Sequence, residues 1–162
     1  MRAKILAPII GLFMALASPA VACPDYTLWG QQQYTYTGND LWTPRPMNVV
    51  AGGNNNMTAH CRHIRARNWN GPMPGFMITP PDFSVTVRGI RGYQLEFRVV
   101  SDCDATLLIN TAGVNWYFDD DDNGNLDPKI RLTRPAGDGI YDVWVGSYDG
   151  SACNAQLIME TF

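Results

Sequence analysis

Beyond residue 22 the chain has no apolar run long enough to cross a membrane as a helix, which excludes an integral helical protein for that part. No pair of its four cysteines has C-x-x-C spacing, and His60 and His63 are its only histidines, so the ligands of a structural zinc site are missing. No helical period and no internal repeat follows residue 22. Basic side chains are the minority, 12 against 15 acidic ones. An acidic chain has no net attraction for phosphate backbones, and no nucleic-acid partner is expected.

What is present begins with a secretory signal over residues 1–22. Arg2 and Lys4 form a basic start, Ile5 to Ala17 form a short apolar core, and Ser18-Pro19-Ala20-Val21-Ala22 ends in an Ala-x-Ala cleavage site before Cys23. A lipoprotein version, acylated at Cys23, would want a large aliphatic residue where Ala20 stands. Cleavage leaves a chain of 140 residues with formal charge −5, enough for one domain, residues 23–162, with its own core. The expected location is secreted or periplasmic. Cys23, Cys61, Cys103 and Cys153 all lie in the exported part, and an even count in an oxidising compartment implies two disulfides. Of the three connectivities, Cys23–Cys61 with Cys103–Cys153 keeps each bridge within one half of the chain.

From residue 82 onward apolar and polar residues alternate, which in a strand sends them to opposite faces. Phe83–Arg88, Tyr93–Val99, Ala105–Asn110, Trp116–Phe118, Lys129–Thr133, Ile140–Val145 and Ala155–Glu160 read as seven short strands, with Gly89 to Gly92 as a hairpin between the first two. Tyr34–Thr37, Met47–Ala51 and the stretch from Cys61 to Trp69 read as further strands of the same domain. Turn residues between so many strands point to an all-β, antiparallel β-sandwich of jelly-roll or Greek-key kind.

The run Phe118-Asp119-Asp120-Asp121-Asp122-Asn123-Gly124-Asn125-Leu126-Asp127 gathers five carboxylates in one loop. Asp119-x-Asp121-x-Asn123-Gly124 fits the first half of a calcium loop, with glycine at the sharp turn. The side chains of Asp119, Asp121, Asn123 and Asp127 and the carbonyl of Asn125 are candidate ligands, with Asp104 and Asp102 as outside donors. Oxygen donors of this kind favour Ca2+. The twelfth position is Ile130 rather than glutamate, so the loop is not an EF-hand. The bland alternative is a solvated acidic turn.

Asp102-Cys103-Asp104-Ala105-Thr106-Leu107-Leu108-Ile109, then Trp116-Tyr117-Phe118-Asp119-Asp120-Asp121, then Gly139-Ile140-Tyr141-Asp142-Val143-Trp144-Val145 resembles, in that order, the bacterial pre-peptidase C-terminal domain. The resemblance covers residues 82–162. It implies a small β-sandwich that accompanies exported enzymes, some members binding calcium or helping to engage a polymeric substrate.

Three other features invite a chemical reading. Met57-Thr58-Ala59-His60-Cys61 resembles the box around the catalytic histidine of trypsin-like proteases, one alanine short. A Ser–His–Asp mechanism also needs a nucleophile and an oxyanion hole. Asp149-Gly150-Ser151-Ala152-Cys153 lacks the glycines that would build one, so no catalytic residue is assigned. Arg62, His63, Arg65, Arg67 and Trp69 form a basic, aromatic patch suited to an anionic ligand, or to a charged edge strand that blocks pairing. Trp144 alternates with Tyr141, Val143 and Val145 and could face outward as a sugar platform, although most tryptophans are core. The chain therefore reads as an exported, non-catalytic binding or accessory module with a polysaccharide or protein partner of the envelope or exterior. A small His60-based hydrolase and an envelope inhibitor are the alternatives.

Overall fold

The computed structural model describes residues 22–162; the expected signal, apart from Ala22, lies outside the described residues. Among them eleven strands follow in order: β1 (Gln32–Thr37), β2 (Arg45–Ala51), β3 (Asn55–Asn56), β4 (Phe76–Met77), β5 (Phe83–Arg88), β6 (Leu95–Ser101), β7 (Ala105–Asn110), β8 (Trp116–Asp119), β9 (Lys129–Leu132), β10 (Gly139–Ser147) and β11 (Cys153–Thr161). Helical turns among the described residues are limited to a 3-10 turn, Asp40–Trp42, and the four-residue α1, Met57–His60.

Two sheets pack face to face. The larger runs β8-β7-β10-β5-β1, with β4 and then β3 attached to the last residue of β10. The smaller runs β2-β11-β6-β9. All seven expected strands after residue 82 form, and pairing is antiparallel except between β1 and β5, which run parallel. Gly89 to Gly92 is not a hairpin. It carries the chain from β5 in the large sheet to β6 in the small one, so the two strands it joins face each other across the core.

The alternation decides which residues meet there. Leu95, Phe97 and Val99 from β6 and Leu157 and Met159 from β11 pack against Phe83, Val85, Val87, Leu107, Ile109, Tyr141, Val143 and Val145. Burial of each large side chain contributes roughly 1.5–3 kcal/mol. On the outer face of the small sheet, Glu96 is flanked by Arg98 at 3.0 Å and Arg131 at 2.7 Å, and Arg98 reaches Glu160 at 2.6 Å. Glu96 lies directly opposite Glu160 in register, and Arg98 offsets that like-charge pair.

The large sheet is covered on its other face as well. Trp144, Leu108 and Phe118, adjacent on β10, β7 and β8, lie under Met57, Cys61, Ile64, Ala66, Met73 and Met77 in a second core. Burial on both faces explains why β7 is buried throughout and runs apolar through Leu107, Leu108 and Ile109 rather than alternating. Trp144 is core rather than an outward sugar platform: it does leave the face of Tyr141 and Val143, but into this second core, fully buried. Its indole N–H donates to the Thr79 carbonyl at 3.2 Å. β4 comes so close to β10 that a Cβ on Gly146 would sit 2.5 Å from the Phe76 carbonyl oxygen, so glycine is required there.

Both disulfides pair as expected, Cys23–Cys61 and Cys103–Cys153. The first ties the N-terminal segment to the second core, and the other joins the β6–β7 connection to the start of β11. Because the Cys23 sulfur is in that bond, it carries no acyl-glyceryl group. No helix among the described residues is long and apolar enough to cross a membrane.

Candidate functional site

The stretch from Cys61 to Trp69 is not a strand. α1 is capped by the Asn56 side chain, which accepts the Ala59 N–H at 2.9 Å, and turns follow it. One bridge, Ala66 to Trp116, lays the chain beside β8, and the Asn68 side-chain amide takes over the pairing, bonding both N–H (3.0 Å) and C=O (2.8 Å) of Phe118. The basic residues consequently belong to no strand, although the chain still alternates there. Ile64 and Ala66 turn into the second core and Arg62, His63, Arg65 and Arg67 turn out. Arg67 donates to the Asn115 side chain at 2.9 Å. Trp69 is half-buried, edge-on to Phe118 with ring centres 4.9 Å apart, and its N–H donates to the Pro72 carbonyl.

Two of those residues, His63 and Arg65, come together with His60 in a groove of about 660 Å³. The opposite wall is the N-terminal segment, through Cys23, Asp25 and Tyr26, and the floor holds Trp116 and Thr79. That segment is fixed at both ends of the wall: the disulfide holds Cys23, and the Asp25 N–H donates to the Thr79 carbonyl at 2.9 Å. Tyr26 stands edge-on to Trp116 at 5.8 Å, and Trp116 in turn lies 5.3 Å from Trp144. Tyr26 also borders a second, smaller cleft with Leu28, Trp29, Ser84 and Ile140. Tyr26, Leu28, Trp29 and Ile140 are all exposed, Trp29 to 63%. The result is a surface with Arg65 and two imidazoles at one end and aromatic side chains at the other. Sequence reasoning missed Tyr26, Leu28 and Ile140, whose meeting depends on a chain crossing that no local pattern announces.

The groove holds no assembled catalytic triad. Neither histidine has a carboxylate oxygen within 4.0 Å among the described residues. The Asp25 carboxylate accepts the Thr27 hydroxyl and N–H, which hold its pKa below the usual value. The Thr79 hydroxyl donates to the Ala22 carbonyl. Ser151 bonds Asp149 in a turn after β10 and does not line the groove.

The acidic loop lies between β8 and β9 and is closed by its own hydrogen bonds. Asp119 Oδ2 accepts the N–H groups of Asp122 (3.0 Å) and Lys129 (2.8 Å), and Asp127 Oδ1 accepts the Ser101 hydroxyl at 2.6 Å. The Asn123 amide donates to the Val99 carbonyl at 2.8 Å. Asn125 and Leu126 both adopt positive φ after Gly124, and Asn125 and Asp121 are exposed, as is Asp102 on the β6–β7 connection. Three expected ligands, Asp119, Asn123 and Asp127, are thus engaged in holding the loop. Among the described residues no three Asp, Glu, His or Cys side chains are arranged to hold a metal ion. Carboxylates here also act on one another, Asp121 on Asp104, Asp119 and Asp120, and Asp122 on Asp119. Burial, then the charges of Asp121, Asp119 and Asp104, pushes Asp120 up to about 6. Asp104 is raised by burial and by Asp121 and Asp149, and its Oδ1 is buried without a hydrogen-bond partner. Asp120 was not among the expected ligands.

Two further carboxylates lie inside the large sheet. Asp82 accepts the Val145 N–H at 2.8 Å, and burial outweighs that bond to raise its pKa to about 7. Asp142 accepts the Ser84 hydroxyl at 2.5 Å and is pushed up to about 6, again by burial.

Compared with known proteins, the chain matches no family model, no curated protein and no solved structure.

Proposed function

We propose that the chain is an exported, non-catalytic accessory module that docks on a protein partner through the groove beside the Cys23–Cys61 bond. The observation that carries this reading is the union, on one exposed surface, of His60, His63 and Arg65 with Tyr26, Leu28, Trp29 and Ile140. Tyrosine, tryptophan and arginine are the residues that dominate binding energy at protein interfaces, and the exposed Arg65 offers a partner carboxylate a two-point contact. Both disulfides support export, and the likeness of residues 82–162 to the pre-peptidase C-terminal domain supports a partner that is itself an exported enzyme. The unassembled histidines favour this over the hydrolase reading. Capture of partners from the exported fraction, repeated with Trp29→Ala and Arg65→Glu, tests it. The partner should be lost in both variants; capture unchanged by either would reject the groove as the docking site.

Calcium is proposed only for the acidic end of the sandwich. The specific observation favouring it is the unpartnered Oδ1 of Asp104 beside Asp120 and Asp121. The donors of the Asp119–Asp127 loop do not fit a cage as they stand. A melting temperature identical in calcium and in chelator would dismiss the metal.

A further inference from the structure

At the end of the sandwich away from the acidic loop, the β5–β6 and β9–β10 connections enclose a cleft of about 710 Å³. Its walls include Arg91, Tyr93 and Gln94 from one connection and Arg134, Pro135 and Asp138 from the other. Arg91 and Arg134 are exposed, and neither takes part in an ion pair or side-chain hydrogen bond among the described residues. Next to the cleft stands Trp42, 64% exposed, with its ring edge-on to Tyr93 at 6.4 Å. The cleft is built before any ligand arrives. Asp138 accepts the N–H groups of Gly89 (2.8 Å) and Ile90 (3.0 Å), which stitches the two connections together, and the Tyr141 hydroxyl donates to the Gly137 carbonyl at 2.8 Å. Those two N–H groups hold the Asp138 pKa below its usual value, so it stays ionised with its oxygens engaged, and the two guanidinium groups outweigh its single negative charge and leave the cleft net cationic.

We propose that this cleft binds an acidic sugar. Two planar cations in a concave site suit a carboxylate or sulfate, to which arginine bonds through two parallel N–H groups. An exposed indole against a half-buried tyrosine offers the flat apolar face on which a pyranose ring stacks. Neither a simple inorganic anion nor a neutral sugar uses both parts, and a ligand carrying a ring and a charge does. In an acidic chain a pair of unpaired arginines beside an exposed tryptophan has no evident role in holding the fold. The site shares no lining residue with the groove of the docking proposal and stands independently of it.

The test is titration of the full exported chain with trigalacturonate, maltotriose and citrate, read by Trp fluorescence and by calorimetry. Trigalacturonate should bind saturably, with maltotriose and citrate at least tenfold weaker. The Arg91→Ala/Arg134→Ala variant should lose at least tenfold in affinity. Trp42→Ala should lose affinity and the fluorescence change together, while Trp29→Ala keeps both. All of these side chains are exposed, so folding is checked by an unchanged melting temperature. Equal binding of citrate and trigalacturonate, or affinity unaltered in the double arginine variant, would overturn the proposal.

Discussion

At the scale of single residues, the large sheet carries Asp82 at a position where solvent is excluded and one N–H group partly compensates it. Burial favours the protonated form, so the folded pKa of about 7 lies above the ordinary carboxylate value of 3.8. The folded state then holds a proton that the unfolded chain has released. Stability from this group is fully present below about pH 4 and is lost as pH rises through about 7. Asp142, with its pKa raised to about 6, acts in the same direction. From about pH 4 to about pH 7.5 the unfolding free energy should fall by a few kcal/mol, about 1.4 kcal/mol per pH unit for each proton that only the folded chain retains. Asp82→Asn should flatten that fall, as denaturant titrations at the two pH values would show; a wild-type protein equally stable at both would contradict the assignment. Neither carboxylate was legible in the sequence as a buried group. In Pro81-Asp82-Phe83 and Tyr141-Asp142-Val143 an acidic residue at a strand end or in alternation reads as solvent-facing, and only tertiary packing around each one makes it otherwise.

At the scale of elements, strand positions were legible because period-two alternation is a local signal, and β5 and β7 begin and end where the pattern says. Connectivity was not. Gly89 to Gly92 permits a hairpin as readily as a crossing, and the choice falls to the core, which seats Leu95, Phe97 and Val99 opposite Val85 and Val87. The Cys61–Trp69 stretch alternates well enough to pass for a strand, yet Asn68 substitutes its side chain for backbone pairing and the run turns away. The acidic loop shows the same limit. Its spacing announces carboxylates in register, whereas backbone N–H groups claim Asp119 and Ser101 claims Asp127. If a cation relieves the remaining repulsion among Asp104, Asp120 and Asp121, millimolar calcium should raise the melting temperature by several degrees, on the scale of about 1 kcal/mol or more. Asp104→Asn should abolish that rise, with magnesium giving a smaller one.

At the scale of the whole molecule, two sheets make the sandwich and a third layer, drawn from the N-terminal segment and residues 57–79, covers one of them. That layer contributes no long strand, and its attachment rests on Met57, Met73, Met77 and the Cys23–Cys61 bond. The proposed docking surface exists only because the layer is held down. Removing the bond therefore separates fold from function more directly than any change to the sandwich itself. A Cys23→Ser/Cys61→Ser protein keeps the core between the sheets and should still unfold cooperatively, at a cost of roughly 2–4 kcal/mol from the lost cross-link. Its partner capture, measured beside wild type under identical conditions, should fall by at least tenfold as the groove loses its fixed wall. Capture at the wild-type level by a folded double-serine protein would show that the groove is not where the partner docks.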